Sequence, residues 1–471
     1  MSLYETVVGL EIHVELATES KVFCGCSTKF GGEPNTKVCP VCMGLPGSLP
    51  RLNEKAVEYA LRAGLALNCE ITRNAKFDRK HYFYPDLPKA YQISQLYLPL
   101  CVNGYVDITG KRVNIREIHM EEDAGKLVHD LWTDETLVDF NRCGVPLIEI
   151  VTQPDMRTAD EVVETVRAIR AALAALGVSD VKMQEGSMRV DVNLSVREFG
   201  HEFGTRTEMK NINSLKSIAR AVAGESKRQI ELIETGKKIT QETRRWDDNK
   251  DTSYAMRVKE DAHDYRYMPD PDLSPFLITE EQLTHIRRTQ PELPEAKRLR
   301  YPKEYGLSAY DTDILISERT LCVLFEGAAE ITRKPKDTAN WIIGEVLSIL
   351  KERGEPADEL SLDKDKFARI ITLVADGAIN RAAGRRVLRA LLDSDIDVDA
   401  YVKQNGLEAI GGASVVDDAV KKVVAANADS VAKFRSGSEK VFGFLMGQVM
   451  KELKGKGDPA ALKKALEEAL L

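Results

Sequence analysis

The stretch Val7-Val8-Gly9-Leu10-Glu11-Ile12-His13-Val14-Glu15 constrains the fold of this chain more than any other. Apolar and polar residues alternate with period two, which predicts a β-strand. Leu10, Ile12 and Val14 then share one face, and Glu11, His13 and Glu15 share the other. Such a strand needs a core on one side and water, or partners for its charges, on the other. The polar row serves either as a solvated strand face or as oxygen and imidazole ligands for a hard cation.

Later segments repeat the pattern. Val190, Val192, Leu194 and Val196 alternate with Arg189, Asp191, Asn193 and Ser195, and Arg206, Glu208 and Lys210 alternate again. Residues 102–150 predict a strand meander, in which the alternation of Val113, Ile115, Ile118 and Met120 slips between Ile115 and Ile118. Glu121, Glu122 and Asp123 follow His119, and three consecutive acids call for solvent or a cation. Glu149 interrupts the apolar run from Leu147 to Val151, where a carboxylate needs an Arg, a Lys or a metal. Asn53 caps a predicted helix reaching about Leu67, and Thr158-Ala159-Asp160-Glu161 is a capping box whose helix stops at Gly177. A third helix runs from Ser214 to about Thr235, with Gly236 as its stop. Beyond about Pro291 strand signals give way to helical periodicity near 338–351, 364–375 and 379–393, which places a domain boundary near 290.

Four of the eight cysteines lie close together. Cys24 and Cys26, then twelve residues, then Cys39 and Cys42 have the spacing of a tetrahedral zinc site. The alternatives are two disulfides or four unrelated thiols. Cys69, Cys101, Cys143 and Cys322 are isolated and read as small buried side chains. The absence of any uncharged apolar run of about 18 residues excludes a membrane span, and the first residues resemble no signal peptide, so a cytoplasmic location is expected. A net charge of −8 excludes a wholly basic nucleic-acid coat but leaves room for local basic patches. The stretch Phe77 to Gln92 is dense in aromatic and basic residues. It is either a loop packed by its tyrosines or a surface on which rings stack on bases and cations meet phosphate. No P-loop, kinase motif set or G-x-S-x-G elbow occurs. If the polar faces gather in one sheet, Glu11, Glu122, Glu149, Glu185, Asp191 and Glu208 form an acidic cleft with His13, Arg189 and Lys210. That cleft would hold Mg²⁺ and, through it, the phosphates of ATP.

Eight runs occur in one order: VVGLEIHVEL, DRKHYFYPDLPKAYQIS, REIHMEEDAGK, LVDFNRCGVPLIEIV, VKMQEGSMRVDVN, TEMKNINS, QETRRWDD and DYRYMPDPDL. Together they resemble the GatB/GatE family of tRNA-dependent amidotransferase subunits, over about the whole chain. The large inserted domain of the archaeal branch is absent, which favours the GatB branch. The resemblance implies an α+β fold. Residues 1–292 would form a catalytic cradle with a curved antiparallel sheet similar to glutamine synthetase, carrying the zinc loop 24–42. An all-α helical domain, 293–402, and a small helical tail similar to YqeY proteins, 403–471, would follow.

The implied reaction is ATP-dependent phosphorylation of the side-chain carboxylate of Glu-tRNA(Gln) or Asp-tRNA(Asn), then displacement of phosphate by ammonia. The implied partners are a glutaminase (GatA) and a small linking protein (GatC), which complete a heterotrimer, together with the misacylated tRNA and the cognate non-discriminating aminoacyl-tRNA synthetase. ATP, Mg²⁺ and a structural Zn²⁺ are the implied cofactors. Carried over by motif, His13, Glu122 and Glu149 hold magnesium with Glu11 adjacent. Glu185, Asp191, Glu208 and Lys210 line the same cleft, and Ser187, Arg189 and Lys210 face ATP. Cys24, Cys26, Cys39 and Cys42 bind zinc. Lys89, Arg381, Arg385, Arg386, Arg389, Lys433 and Arg435 are the expected tRNA contacts. A non-catalytic zinc-bearing tRNA scaffold is the competing reading; an aminoacyl-tRNA synthetase is disfavoured by the absence of HIGH-like and KMSKS-like motifs.

Overall fold

The period-two segments assemble into one nine-stranded sheet, seen in a computed structural model that describes residues 3–130, 133, 135–258, 265–408, 413–435, 440–453 and 459–470. Its strands are β1 (Tyr4–Glu15), β2 (Glu70–Ile71), β3 (Cys101–Ile108), β4 (Lys111–Glu122), β5 (Pro146–Thr152), β6 (Met188–Glu198), β7 (Thr207–Lys210), β8 (Glu242–Asp247) and β9 (Thr252–Val258). Their spatial order is β9-β8-β7-β6-β1-β5-β4-β3-β2, so the strand that opens the chain lies at the centre. Neighbours are antiparallel except β7 and β8, which run parallel. That one departure from the expected antiparallel sheet has a local cause. A long helix separates β7 from β8 in sequence, and a parallel pair requires such a crossover.

Three helices cover one face: α1 (Glu54–Ala66), α2 (Ala159–Leu176) and α3 (Leu215–Glu234). Under them the register aligns Ile12 with Ile150 and Val190, and Ile150 with Ile118. Leu10, Ile12 and Val14 are all fully buried, each stabilising the fold by roughly 1.5–3 kcal/mol relative to exposure. The helix ends follow their capping residues. The Asn53 side chain accepts from the backbone of Lys55 and Ala56. Thr158 accepts from the Glu161 N–H, but the Glu161 carboxylate turns to the Arg157 N–H at 2.7 Å, so only half of the capping box forms. Gly177 takes the left-handed conformation that ends α2. The slip in β4 is a bulge: Glu117 pairs with Val151 and Ile115 with Thr152, leaving Arg116 as the extra residue.

The chain forms two compact units, Met1–Leu293 and Pro294–Leu471. The sheet and its helices belong to the first. The described part of the second is helical and contains two separate apolar clusters. One is built around Phe325, Trp341 and Phe367 and the other around Leu445, Leu462 and Leu466. The expected α+β class, a sheet domain followed by a helical region, is what the structure has. Among the described residues no helix is long and apolar enough to cross a membrane.

Candidate functional site

The face of the sheet opposite the helices carries the polar rows. Cross-strand register aligns Arg189, His13, Glu149 and His119 along β6, β1, β5 and β4. Register also aligns Asp191 with Glu11 across β6 and β1, and Lys210 with Arg245 across β7 and β8, and the Lys210 side chain joins the two pairs by meeting Asp191. Strand pairing, not proximity in sequence, therefore brings these groups together.

Two acidic groups result. In the first, one ligand atom each from His13, Glu121 and Glu149 lies within 4.8 Å of the others. His119 Nε2 stands 3.2 Å from both Glu121 Oε1 and Glu149 Oε2. The Ser94 hydroxyl donates to Glu121 at 2.9 Å. Burial opposes the charge on His119, yet its contacts with Glu121 and Glu149 prevail and raise its pKa to about 10. Burial likewise opposes ionisation of Glu121, but His119 holds that carboxyl well below the usual range. In the second group Glu11, Asp191 and Glu208 meet under the same distance criterion. The Lys210 ammonium bridges Asp191 and, at 3.0 Å, Glu208. Burial, then Glu149 and Glu208, raise the pKa of Glu11. His13 links the groups: its Nδ1 is 3.9 Å from Glu149 and its Nε2 3.8 Å from Asp191.

The first group fits a divalent cation. His13 Nδ1 is buried without a hydrogen-bond partner, and two carboxylates converge beside it. An imidazole with carboxylate oxygens is a donor set for Mg²⁺ or Mn²⁺. Glu122 is not part of this set, contrary to expectation. It is one residue from Glu121, and successive strand residues point to opposite faces. Its carboxylate pairs with Lys89 and accepts the Ile93 N–H at 2.9 Å. Glu11, expected as a further magnesium ligand, belongs to the second group, although Glu149 is near enough to raise its pKa.

Other expected residues have other partners. Arg189 binds Asp123 at 2.9 Å. Burial and the neighbouring Asp123 push Glu15 up to about 8. Against burial, Arg189 and Arg142 keep Asp123 below its usual range. Glu185 pairs with Lys182 at 3.1 Å, and the buried Ser187 hydroxyl turns to Asp180. Neither joins the two acidic groups. Lys89, an expected tRNA contact, is withdrawn into its pair with Glu122. Arg381 and Arg385 bind Glu345 at 3.0 and 3.3 Å, while Arg385 and Arg389 bind Glu352. Arg386 and Lys433 are exposed. The side chain of Arg435 lies outside the described residues. Sequence reasoning missed Glu121 and His119. The signal was the burial of Met120, which turns both of its neighbours to the open face.

The four cysteines converge as expected, with their sulfurs within 4.8 Å of one another. Cys39 and Cys42 Sγ are 3.9 Å apart, close to the roughly 3.8 Å edge of a tetrahedron with ~2.3 Å zinc–sulfur bonds. All four are free thiols, so the disulfide alternative does not apply. Contact with Cys24 first, then the Cys39 N–H and Lys21, overcome burial and bring the Cys42 pKa down to about 4. The aromatic stretch 77–92 is partly a strand, Asp78–His81, and its rings pack edge to face, Tyr82 against Tyr84 and Tyr265. Phe83 stays exposed.

The family described as the GatB/GatE catalytic domain matches residues 6–284, and one described as a GatB domain matches residues 323–470. Three relatives are each named as the B subunit of aspartyl/glutamyl-tRNA(Asn/Gln) amidotransferase. That of Lachnoclostridium phytofermentans is 56% identical over 475 residues, spanning 100% of this chain and 99% of its own. That of Lachnospira eligens is 52% identical over 482 residues, spanning 100% of both chains. That of Caldicellulosiruptor saccharolyticus is 52% identical over 475 residues, spanning 99% of each.

Proposed function

Since this chain belongs to the GatB/GatE family, whose members are subunits of a glutamine-dependent carbon–nitrogen ligase acting on tRNA, we propose that its open cleft activates and amidates the side-chain carboxylate of Glu-tRNA(Gln), Asp-tRNA(Asn) or both. The observation that carries this reading is the meeting of His13, Glu121 and Glu149 beside Glu11, Asp191, Glu208 and Lys210. A side-chain carboxylate is a poor acyl donor because oxide is its leaving group. Phosphorylation by ATP turns that leaving group into phosphate and divides one hard step into two. Ammonia then displaces phosphate, and the amide forms.

His13, Glu121 and Glu149 would hold Mg²⁺, which when bound screens the charge of the ATP phosphates. Lys210, between Asp191 and Glu208, is placed to meet negative charge developing on the transferred phosphoryl group. Glu11 is held in place by the Asn193 amide at 2.9 Å. Cys24, Cys26, Cys39 and Cys42 would hold a structural Zn²⁺. Ammonia would come from the glutaminase GatA, joined through the small protein GatC, in the cytoplasm. In the second unit the exposed Arg386 offers a contact to tRNA phosphates, and Lys433, also exposed, offers one on exchange of its own partner. Arg381, Arg385 and Arg389 would first have to exchange their glutamate partners. This fits a division into a cradle (1–292), a helical domain (293–402) and a tail (403–471), and is supported by the two separate apolar clusters after residue 294.

The test is reconstitution of the chain with GatA, GatC, Glu-tRNA(Gln), ATP, Mg²⁺ and ammonium, following ADP and amide. Amide should form only with ATP. The His13→Ala variant should lose roughly 10²-fold or more, the scale on which removing a charge-stabilising group acts. An intact complex that binds tRNA and turns nothing over would favour the scaffold reading instead.

A further inference from the structure

The four-cysteine loop contains a fully buried cation. Lys21 has no exposed surface. Its ammonium donates to the carbonyls of Lys37 at 2.8 Å and Phe140 at 3.4 Å, and stands 3.7 Å from Cys42 Sγ. Among the described residues it has no carboxylate partner. A buried ammonium held by carbonyls alone is costly, and negative charge on the adjacent sulfur offsets that cost. A dication bound by four thiolates keeps two negative charges in excess, which is the charge Lys21 needs beside it.

The same loop is built against the back of the cleft. Gly44, two residues after Cys42, has φ +64°, and a Cβ there would lie 2.5 Å from Lys89 Cγ and 3.2 Å from Lys89 Cα. Only glycine lets the loop approach Lys89 so closely. Lys89 pairs with Glu122, the residue that follows Glu121 on β4. From the other side, the Cys143 thiol donates to the Cys42 carbonyl at 3.4 Å, and the Gly144 N–H donates to the Asp123 carbonyl at 2.9 Å. A small cavity of about 60 Å³, bordered by Lys21, Cys24, Cys42, Lys89 and Glu122, lies between loop and strand.

We propose that Lys21 is the resident counter-charge of the four-thiolate centre, and that the metal-loaded loop seats Lys89 against Glu122 and thereby fixes the strand end that carries Glu121. Lys21 and Gly44 are positioning residues, since neither touches the cleft carboxylates. The inference rests on reading the four cysteines as a zinc site.

The experiment uses the full-length chain. Zinc content is measured first, then zinc affinity by competition with a chromophoric chelator, for the wild type, Lys21→Met and Lys21→Arg. Hydrogen exchange is followed in the wild type with and without zinc. The wild type should retain about one zinc per chain. Lys21→Met should weaken zinc binding about 10–100-fold, the usual effect of losing a partner of a metal ligand, and Lys21→Arg should recover most of it. Cobalt substituted for zinc should show a shifted thiolate charge-transfer band in Lys21→Met. Zinc removal should speed exchange in 87–93 and 119–123. Unchanged zinc affinity in a folded Lys21→Met chain overturns the counter-charge role. Unchanged exchange in 87–93 and 119–123 overturns the positioning role, and that measurement decides the matter even where the Met variant does not fold. A wild-type chain that retains no zinc overturns the zinc reading itself, an outcome distinct from the other two.

Discussion

One step along β4 separates two carboxylates with different work. Glu121 faces His13 and Glu149, while Glu122 faces Lys89 and the cysteine loop. The expected consequence is an asymmetry in divalent-ion binding. Glu121→Gln should weaken Mn²⁺ binding, followed by electron paramagnetic resonance, about tenfold or more. Glu122→Gln should weaken it clearly less, since Glu122 supplies no ligand atom to the group and acts on it only through the strand end that its pair with Lys89 holds. Equal losses would mean that both carboxylates reach one ion. The residue-level error in reading the sequence has the same origin. His13 and Glu149 were legible because each stands alone among apolar neighbours of fixed parity. The run Glu121-Glu122-Asp123 has no such internal marker, and the bulge at Arg116 breaks the alternation that would have supplied one. The parity had to be taken from Met120, which is fully buried.

Among the elements, α3 is fastened to the sheet by a carboxylate with no exposed surface. The Glu225 side chain receives Arg228 Nη2 at 2.6 Å and Nε at 2.8 Å, the Thr207 hydroxyl of β7 at 2.8 Å and the Gln229 amide at 3.0 Å. Arg244 of β8 stands 3.5 Å away. Burial opposes the charge, but these donors win and hold the Glu225 pKa below its usual value. A lowered folded pKa means that the unfolded chain binds the proton more readily, so this contribution to stability grows with pH. It is fully present above roughly pH 5 and lost as pH falls below the unfolded value of about 4.3 and through the folded one. Glu225→Gln should cost about 2–3 kcal/mol at pH 7, somewhat less than the ~3–5 kcal/mol of breaking a fully buried pair, because Arg228 is partly exposed. Urea unfolding of both chains between pH 3 and 7 should show the gap closing at the acid end; a constant gap would assign the loss to packing. The ends of α3 were legible from Ser214 and Gly236, because caps act within a turn. Its fastening was not, because Thr207, Glu225 and Arg244 meet only once β7 and β8 pair in parallel. The arginines of the helix Arg381–Asp393 make the same point. Their near-helical spacing was plain, but the glutamates that answer them, Glu345 and Glu352, lie 36 and 37 residues before Arg381 and Arg389 in the chain.

Across the full length of the chain, each unit has its own apolar core and its own buried tryptophan. Trp246 packs in the core of the sheet unit, under α3, and Trp341 in the first core of the helical unit. The cysteine loop adjoins the first of these cores: Val22 and Phe23, beside Lys21 and Cys24, are members of it. Metal at that loop would bind the folded loop in preference to the unfolded chain, and would so stabilise whatever unfolds together with the loop. Two single-tryptophan chains separate the responses, one keeping Trp246 and one keeping Trp341, with the other tryptophans, Trp132 included, replaced by Phe. Chelating zinc should lower the thermal midpoint reported by Trp246 by about 5 °C or more, which corresponds to a loss of ~2 kcal/mol at about 2–4 °C per kcal/mol for units of this size. The midpoint reported by Trp341 should stay within about 1 °C, because among the described residues none of its core belongs to the loop. A common shift in both reporters would show that the two cores melt as one cooperative body. A shift in neither would mean that the loop frays without releasing the core that Val22 and Phe23 join, and would confine the influence of the metal to the strand end beside Lys89 and Glu122.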